Sequence, residues 1–528
     1  MNKPTIVVCD HIHESGLEIL KNNSDINYVY AADIDKTTLL ERIADADVCI
    51  TRSSTDVDEK FLNAAKNLKA VVRAGVGVDN VDMDGCSKRG VIAMNVPTAN
   101  TIAATELTMT HMLSCMRKMP YAHSQLKDQR IWKREDWYGQ ELYGKKLGVI
   151  GFGNIGSRVA VRAKGFEMDV IAYDPYIPAS KATDLGIEYT TNFDDILSCD
   201  IITIHTPKNT ETLNMIDEEE IAKMKDGVIL INCARGGLYN EEALYNNLKS
   251  GKIAMAGIDV FNKEPATDHP LLDLDNVTVT AHLGANTVES QFKIATQAAN
   301  NAIKSAKGIG YPHALNLPID ETKIPSFVKP YLELTQKMGY LLAQMDKTVI
   351  ESVKIEAEGE IAEYLESLST FAVVGALSHS LSNEKINYVN ATFVAEERGI
   401  KIETAEHSNT SAFKNQVSVK VTTKNGSNTT SGTIFEEDVQ RIIKINDYVV
   451  DIEPSGKMIL FSNSDVPGVI GNVGKTLGDE GINIADFRLG RSKDGALAVI
   501  LVDENVSESV LDKLSNLEAA RSVAYAQI

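Results

Sequence analysis

Residues 145–174 read KKLGVIGFGNIGSRVAVRAKGFEMDVIAYD, and the order of residue types in this stretch decides the fold. An apolar run, Leu147 to Ile150, leads directly into Gly151, Gly153 and Gly156. A helical segment, SRVAVRAKGF, follows at once, and a second apolar run ends in Asp174. In a strand–turn–helix of this spacing the first glycine makes the turn, the second admits a pyrophosphate, and the third lets the helix pack on the strand. The helix N-terminus favours the phosphate charge. Asp174, 18 residues past Gly156, stands where a carboxylate accepts from both ribose hydroxyls. A carboxylate there repels a 2′-phosphate, so the stretch predicts a dinucleotide-binding βαβ unit that takes NAD rather than NADP.

The same alternation extends in both directions. Upstream, TIVVCD, INYVYA, DVCITR, KAVVRA and VIAMNV alternate with amphipathic segments such as SGLEILKN and TTLLERIADA. This rhythm predicts a parallel sheet with helices on both faces. A long helix is expected from Thr101 to about Lys118, then a polar, aromatic segment, KDQRIWKREDWYGQEL, before the rhythm restarts at Lys145. Near residue 310 the pattern changes. Pro312, Pro318, Pro325 and Pro330 mark a boundary. Beyond it, NQVSVKVTT and KNGSNTTSGTIF suggest an α+β module with hairpins. A last unit, from KMILFSN through VPGVIGNVGKTLGDEGINIADF to ALAVILVD, reads as strand, helix, strand, strand and a final helix near VLDKLSNL.

At 528 residues the chain is too long for one core, and roughly 100 to 200 residues per domain gives three or four units. A net charge of −20 opposes binding to nucleic acid or to an anionic membrane, since both repel it. The six cysteines, Cys9, Cys49, Cys86, Cys115, Cys199 and Cys233, show no Cys-x-x-Cys pair, which suits reduced thiols and no metal. The N-terminal apolar stretch is short and followed by acids, so it reads as a first strand and the expected location is the cytoplasm. No run approaches the ~20 apolar residues that span a bilayer.

A nicotinamide cofactor requires a proton acceptor and a substrate anchor beside it. Open α/β sheets bind ligands at the carboxyl ends of their strands, and three such ends carry suitable groups: VILINCARGG with Arg235, AGIDVFNKEP with Asp259 and Glu264, and VTVTAHLGA with His282. A guanidinium grips a carboxylate with two prongs. An imidazole exchanges a hydroxyl proton, and a carboxylate behind it holds the ring and raises its basicity. Arg235, His282 and Glu264 are therefore the candidate catalytic residues. Cys233 and Ala234 are small enough for the nicotinamide ribose to lie over their backbone.

These motifs carry a resemblance. Up to about residue 310 the chain resembles the D-isomer-specific 2-hydroxyacid dehydrogenase family in RAGVGVDNVD (73–82), GKKLGVIGFGNIG (144–156), INCARGG (231–237), Glu264-Pro265 with His269-Pro270-Leu271, and TAHLGA (280–285). It implies a Rossmann cofactor domain at 99–290 inserted into a flavodoxin-like substrate domain, 1–98 plus 291–315. It also implies a cofactor site of Gly151, Gly153, Asn154, Ile155, Gly156, Asp174, Thr206, Pro207, Cys233, Ala234, Arg235, Asp259, His282, Gly284 and Ala285. The substrate site would be Arg52, Ser53, Val76, Gly77, Asn100, Arg134 and Arg235. Residues 318–452, notably NYVNATFVAEERGI and SGTIF, are similar to the intervening domain of the long-form D-3-phosphoglycerate dehydrogenase family. Residues 457–528 resemble a ferredoxin-like ACT domain, with Asn463, Asp465 and Asn483 at the positions of an effector site. The resemblance implies NAD-dependent oxidation of 3-phosphoglycerate in serine synthesis, L-serine as effector, and a homodimer or homotetramer.

Two other readings stay open at this level. A glyoxylate or hydroxypyruvate reductase shares the chemistry but usually ends near residue 320. A dinucleotide-sensing regulator shares the fold but has no use for an intact arginine, glutamate and histidine set.

Overall fold

The computed structural model describes residues 3–318, 324–380, 386–407 and 413–528. Short strands, most of them apolar and buried along their length, form two parallel sheets, as expected for strands covered on both faces; the edge strands Asn27–Tyr30 and Glu188–Thr190 are partly exposed. The first contains β1 (Thr5–Val8), β2 (Asn27–Tyr30), β3 (Val48–Thr51), β4 (Ala70–Arg73) and β5 (Ile92–Met94), in the order β2-β1-β3-β4-β5. The second contains β6 (Lys146–Ile150), β7 (Asp169–Tyr173), β8 (Glu188–Thr190), β9 (Ile201–Ile204), β10 (Val228–Asn232), β11 (Ile253–Ile258) and β12 (Val277–Val279), in the order β12-β11-β10-β9-β6-β7-β8. Each order reverses once, beside β1 in the first sheet and beside β6 in the second. The loops diverge there and leave a crevice at the carboxyl edge.

Two long helices connect the sheets. The Thr101–Arg117 helix packs Met109, Met112 and Met116 against Leu147, Val149 and Ile231 of the second sheet. The Val288–Ala306 helix returns to the first sheet, where Ile294, Ala298 and Ala302 meet Ile6, Ile50 and Val72. A second helix, Met119–Lys127, lies between the first of these helices and the polar, aromatic segment: Lys118, at φ 51°, ends one, and Pro120 in the first turn starts the other. The segment itself forms only the single turn Arg134–Trp137.

The third sheet is mixed: β13 (Ile350–Glu358), β14 (Lys401–His407), β15 (Gln416–Thr423), β16 (Gly426–Phe435), β17 (Val439–Ile445) and β18 (Tyr448–Ile452), in the order β14-β13-β15-β16-β17-β18. Only β13 and β14 are parallel, and the predicted hairpin forms between β15 and β16. Asn387 ties this unit to the first sheet, its Nδ2 donating to Gly90 O at 2.8 Å. The fourth sheet is antiparallel: β19 (Lys457–Asn463), β20 (Ile484–Ser492), β21 (Gly495–Val502) and β22 (Ala520–Gln527), ordered β20-β21-β19-β22. Strand β22 goes beyond the sequence reading, which ended at a helix. It lies at a sheet edge and buries only Ala526 fully, so its pattern resembles a tail. In β19 the period-two alternation serves two cores. Ile459 and Phe461 face the helices of their own unit, whereas Met458 and Leu460 share a core with Leu334, Met338 and Leu342 of the Val328–Met345 helix.

Candidate active site

A cavity of about 380 Å³ lies between the carboxyl edges of the two parallel sheets. On the cofactor side, β10 ends in Asn232, whose Oδ1 accepts from Ala234 N at 3.0 Å and whose Nδ2 donates to Arg235 O at 2.8 Å. This local turn brings Arg235 into the cavity wall. The guanidinium donates from Nη1 to Ala234 O at 2.6 Å and from Nε to Asp79 at 3.2 Å. On the substrate side, the loop after β4 supplies Val76 and Gly77. A Cβ on Gly77 would lie 2.1 Å from Arg235 Nη2, so only glycine permits this approach.

His282 and Glu264 form the acid–base pair, with His282 Nδ1 donating to Glu264 Oε2 at 2.7 Å. Glu264 Oε1 also accepts from Phe261 N at 3.0 Å. Burial pushes the Glu264 carboxyl up, but the hydrogen bonds from His282 and the Phe261 amide outweigh it, and the group is held below its usual range as a carboxylate. That fixes the proton on Nδ1 and leaves Nε2 as the base. His282 occupies the left-handed region, at φ 53°. Its loop is held from beneath by Asp259, which is fully buried and accepts from Leu283 N at 2.7 Å, Gly284 N at 2.9 Å and Thr280 Oγ1 at 2.5 Å.

The glycine loop fits a dinucleotide. Gly151 sits at φ 84°, and a Cβ on Gly156 would meet Gly151 O at 2.0 Å, while one on Gly153 would meet nothing within 4 Å. The ten-residue helix from Gly156 has no side-chain cap; Ser157 N and Arg158 N donate to Gly153 O and Ile155 O at 3.3 and 2.9 Å, and the positive end of the helix dipole faces the loop and favours an anion. Asp174 braces the loop, its Oδ2 accepting from Phe152 N at 2.8 Å.

Of the predicted residues, the cavity wall gathers Arg52, Val76, Gly77, Asn100, Ile155, Thr206, Pro207, Cys233, Ala234, Arg235, His282, Gly284 and Ala285. Glu264 and Asp259 stand behind the wall, holding the His282 loop. Ser53, Asn154 and Arg134 are exposed and do not line the cavity. Arg134 lies on a short turn, Arg134–Trp137, that projects into solvent.

The wall residues that escaped the sequence reading include the polar and charged Arg73, Asp79, His205 and Lys208. Arg73 closes β4 as Arg235 follows β10, so the strand-end rule applied evenly would have found it. Burial first, then the like charges of Arg235 and Arg52, push its guanidinium down to about 10. Burial alone pushes His205 down to about 3, so that ring is neutral. Among the described residues, the buried polar atoms without a partner include Arg73 Nε, Asn100 Oδ1, His205 Nδ1 and Thr206 Oγ1, all from this wall. Such desolvated groups are costly and call for a polar ligand.

The three predicted effector residues do not converge within the chain. Asn463 is 1% exposed and its Oδ1 accepts from Asp465 N at 2.9 Å, closing its own turn. Asn483 precedes β20 at the opposite end of the sheet, where Ile484 pairs with Val502 and Val502 is opposite Lys457. Six residues of β19 separate the two sites, roughly 20 Å at ~3.3 Å per residue. A cavity of about 290 Å³ lies beside the Ser464–Val469 turn, walled by Phe461, Val466, Asn472 and Leu517 rather than by the predicted residues.

Comparison with known proteins accounts for the whole chain. Residues 109–284 match the D-isomer specific 2-hydroxyacid dehydrogenase NAD binding domain, 327–446 the D-3-phosphoglycerate dehydrogenase intervening domain, and 457–519 the ACT domain. The chain is 38% identical over 521 residues to D-3-phosphoglycerate dehydrogenase of Bacillus subtilis (strain 168), covering 98% of each. It is 36% identical to the Archaeoglobus fulgidus protein of that name, covering 99% of this chain and 100% of the relative. Among solved structures, a glyoxylate reductase from Paecilomyes thermophila is similar at TM-score 0.55 and 27% identity, covering 60% of this chain and 99% of that one. D-Lactate dehydrogenase from Aquifex aeolicus, complexed with NAD and lactic acid, is similar at TM-score 0.51 and 28% identity, covering 58% of this chain and 96% of that one. With relatives of this name matched over 98–100% of their length, and the three family models matched in order along the chain, the chain belongs to the D-3-phosphoglycerate dehydrogenase family.

Proposed function

We propose that the chain oxidises 3-phospho-D-glycerate to 3-phosphohydroxypyruvate with NAD, the first step of L-serine biosynthesis. The observation that carries this is a cavity holding Arg52, Arg73, Lys208 and Arg235 in a chain of net charge −20. Such a cavity suits a small substrate with a carboxylate at one end and a phosphate at the other. Arg235 and the Val76–Gly77 loop receive the carboxylate, and Arg52 and Arg73 face the phosphate. His282 Nε2 takes the hydroxyl proton while Glu264 holds the ring and stabilises the imidazolium. Gly151, Gly153, Gly156, Asp174 and Thr206 would hold NAD, whose nicotinamide would supply the hydride acceptor for C2.

We assign the substrate unit to 1–98 and 291–315, the cofactor unit to 99–290, the intervening unit to 318–452 and the regulatory unit to 457–528. Support for the first two comes from the Val288–Ala306 helix, which packs on the first sheet. L-Serine is the effector to test, and the assembly a homodimer or homotetramer. Exposed Trp132 and Tyr138, 78% and 79% accessible on the arm of the cofactor unit, favour self-association. All six cysteines are free and buried, which fits the cytoplasm. Among the described residues no helix is long and apolar enough to cross a membrane.

The deciding experiment is a steady-state assay with 3-phosphoglycerate and NAD, with and without L-serine, beside glyoxylate and hydroxypyruvate with NADH. Turnover of 3-phosphoglycerate at the highest kcat/KM is expected. Preference for glyoxylate would make it a reductase, and no turnover at all a regulator. Glu264→Gln tests the acid–base pair: kcat falls about tenfold, the worth of ~1.4 kcal/mol. Parental kcat in Glu264→Gln would remove Glu264 from this role.

A further inference from the structure

We propose that Asp79 is a positioning residue that sets the edge of the guanidinium which Arg235 presents to substrate. The inference rests on the reading of Arg235 as the carboxylate anchor. Asp79 sits on the loop after β4 and Arg235 on the loop after β10, so their ion pair, 3.2 Å from Nε to Oδ2, joins the two walls of the cleft. Three contacts locate the guanidinium. Nε donates to Asp79, Nη1 donates to Ala234 O at 2.6 Å, and Nη2 lies against Gly77. Nε is engaged, but Nη1 and Nη2 each carry two N–H groups, so with one Nη1 N–H on Ala234 O the Nη1/Nη2 end still offers one N–H from each nitrogen, the pair a carboxylate grips with both oxygens.

Charge supports the same role. Arg235 shares the cavity with Arg52 and Arg73, and Arg73 feels Arg235 as a repelling and Asp79 as an attracting neighbour. Asp79 is the acid in the cavity wall, placed to keep Arg235 from being driven away from the other cations. Its side chain is 60% exposed, and ion pairs this accessible contribute little to stability. Its value therefore lies in orientation, and its loss should leave the fold intact.

The test is a double-mutant cycle in the full-length enzyme, assayed with 3-phosphoglycerate and NAD. Asp79→Ala should raise KM for 3-phosphoglycerate about five- to tenfold, lower kcat by less, and leave KM for NAD and Tm unchanged, with Asp79→Asn milder because the amide still accepts from Nε. In an Arg235→Lys background, which has no fork to orient, the same change should cost less than about twofold, since coupled residues are non-additive. An equal loss in both backgrounds would overturn the proposal, as would a lower KM in Asp79→Ala, which would make Asp79 a competitor of substrate. Parental kinetics in Arg235→Lys alone would instead remove the anchor reading itself.

Discussion

His282→Ala should lower kcat by about 10² to 10⁴-fold, the usual worth of a general acid–base group, while fluorescence titration should find NAD affinity within about threefold of the parent. The separation of these two effects comes from the way the loop is built. Asp259, not the imidazole, holds the backbone, through the amides of Leu283 and Gly284 and the hydroxyl of Thr280. Removing the ring therefore removes the base and leaves the cofactor wall. One complication is conformational: His282 has φ 53°, where alanine is less favoured than asparagine. His282→Asn avoids that strain and should show the same fall in kcat. A variant of either kind with parental kcat would refute the assignment.

Arg235→Lys is the second large effect, with kcat/KM for 3-phosphoglycerate falling about 10- to 100-fold, the worth of one hydrogen bond between charged partners at ~1.5–3 kcal/mol. Lysine keeps the charge but offers a point rather than a fork. It also cannot maintain both the Asp79 and the Ala234 contacts while reaching substrate. Both KM and kcat should change, because the anchor sets the distance of C2 from the base as well as the occupancy of the site. KM for NAD should change less than KM for 3-phosphoglycerate, because the glycine loop proposed to hold the dinucleotide is untouched. Initial-rate measurements with each substrate varied separately distinguish the two.

Much of this site was legible in the sequence because parallel sheets impose a simple grammar. Buried strands read as apolar runs, and the residues directly after each run are placed at the ligand edge. Arg235, Glu264 and His282 obey that rule, and Gly151, Gly153 and Gly156 add a spacing with its own steric reason. The features that escaped depend on side-chain direction or on sequence-distant contact. The strand-end rule names Asp259 as a cofactor contact, but its carboxylate turns inward and holds the His282 loop. Arg73 was hidden inside RAGVGVDNVD, where the glycines drew the eye. The Ile294, Ala298 and Ala302 stripe reads as an amphipathic helix, but no spacing says which sheet receives it. Asn463 and Asn483 belong to one motif in sequence and to opposite ends of one sheet in space.

The shared core beneath β19 has a practical meaning for the study of feedback in this family. Met458, Leu460 and Ala526 complete the packing around the Val328–Met345 helix, so the last two modules behave as a single folding unit with a buried seam. A chain shortened after residue 452 would not be a deregulated enzyme; it would be a protein with a freshly exposed oily surface. The Asn387–Gly90 hydrogen bond, 2.8 Å, then ties this joint unit to the first sheet.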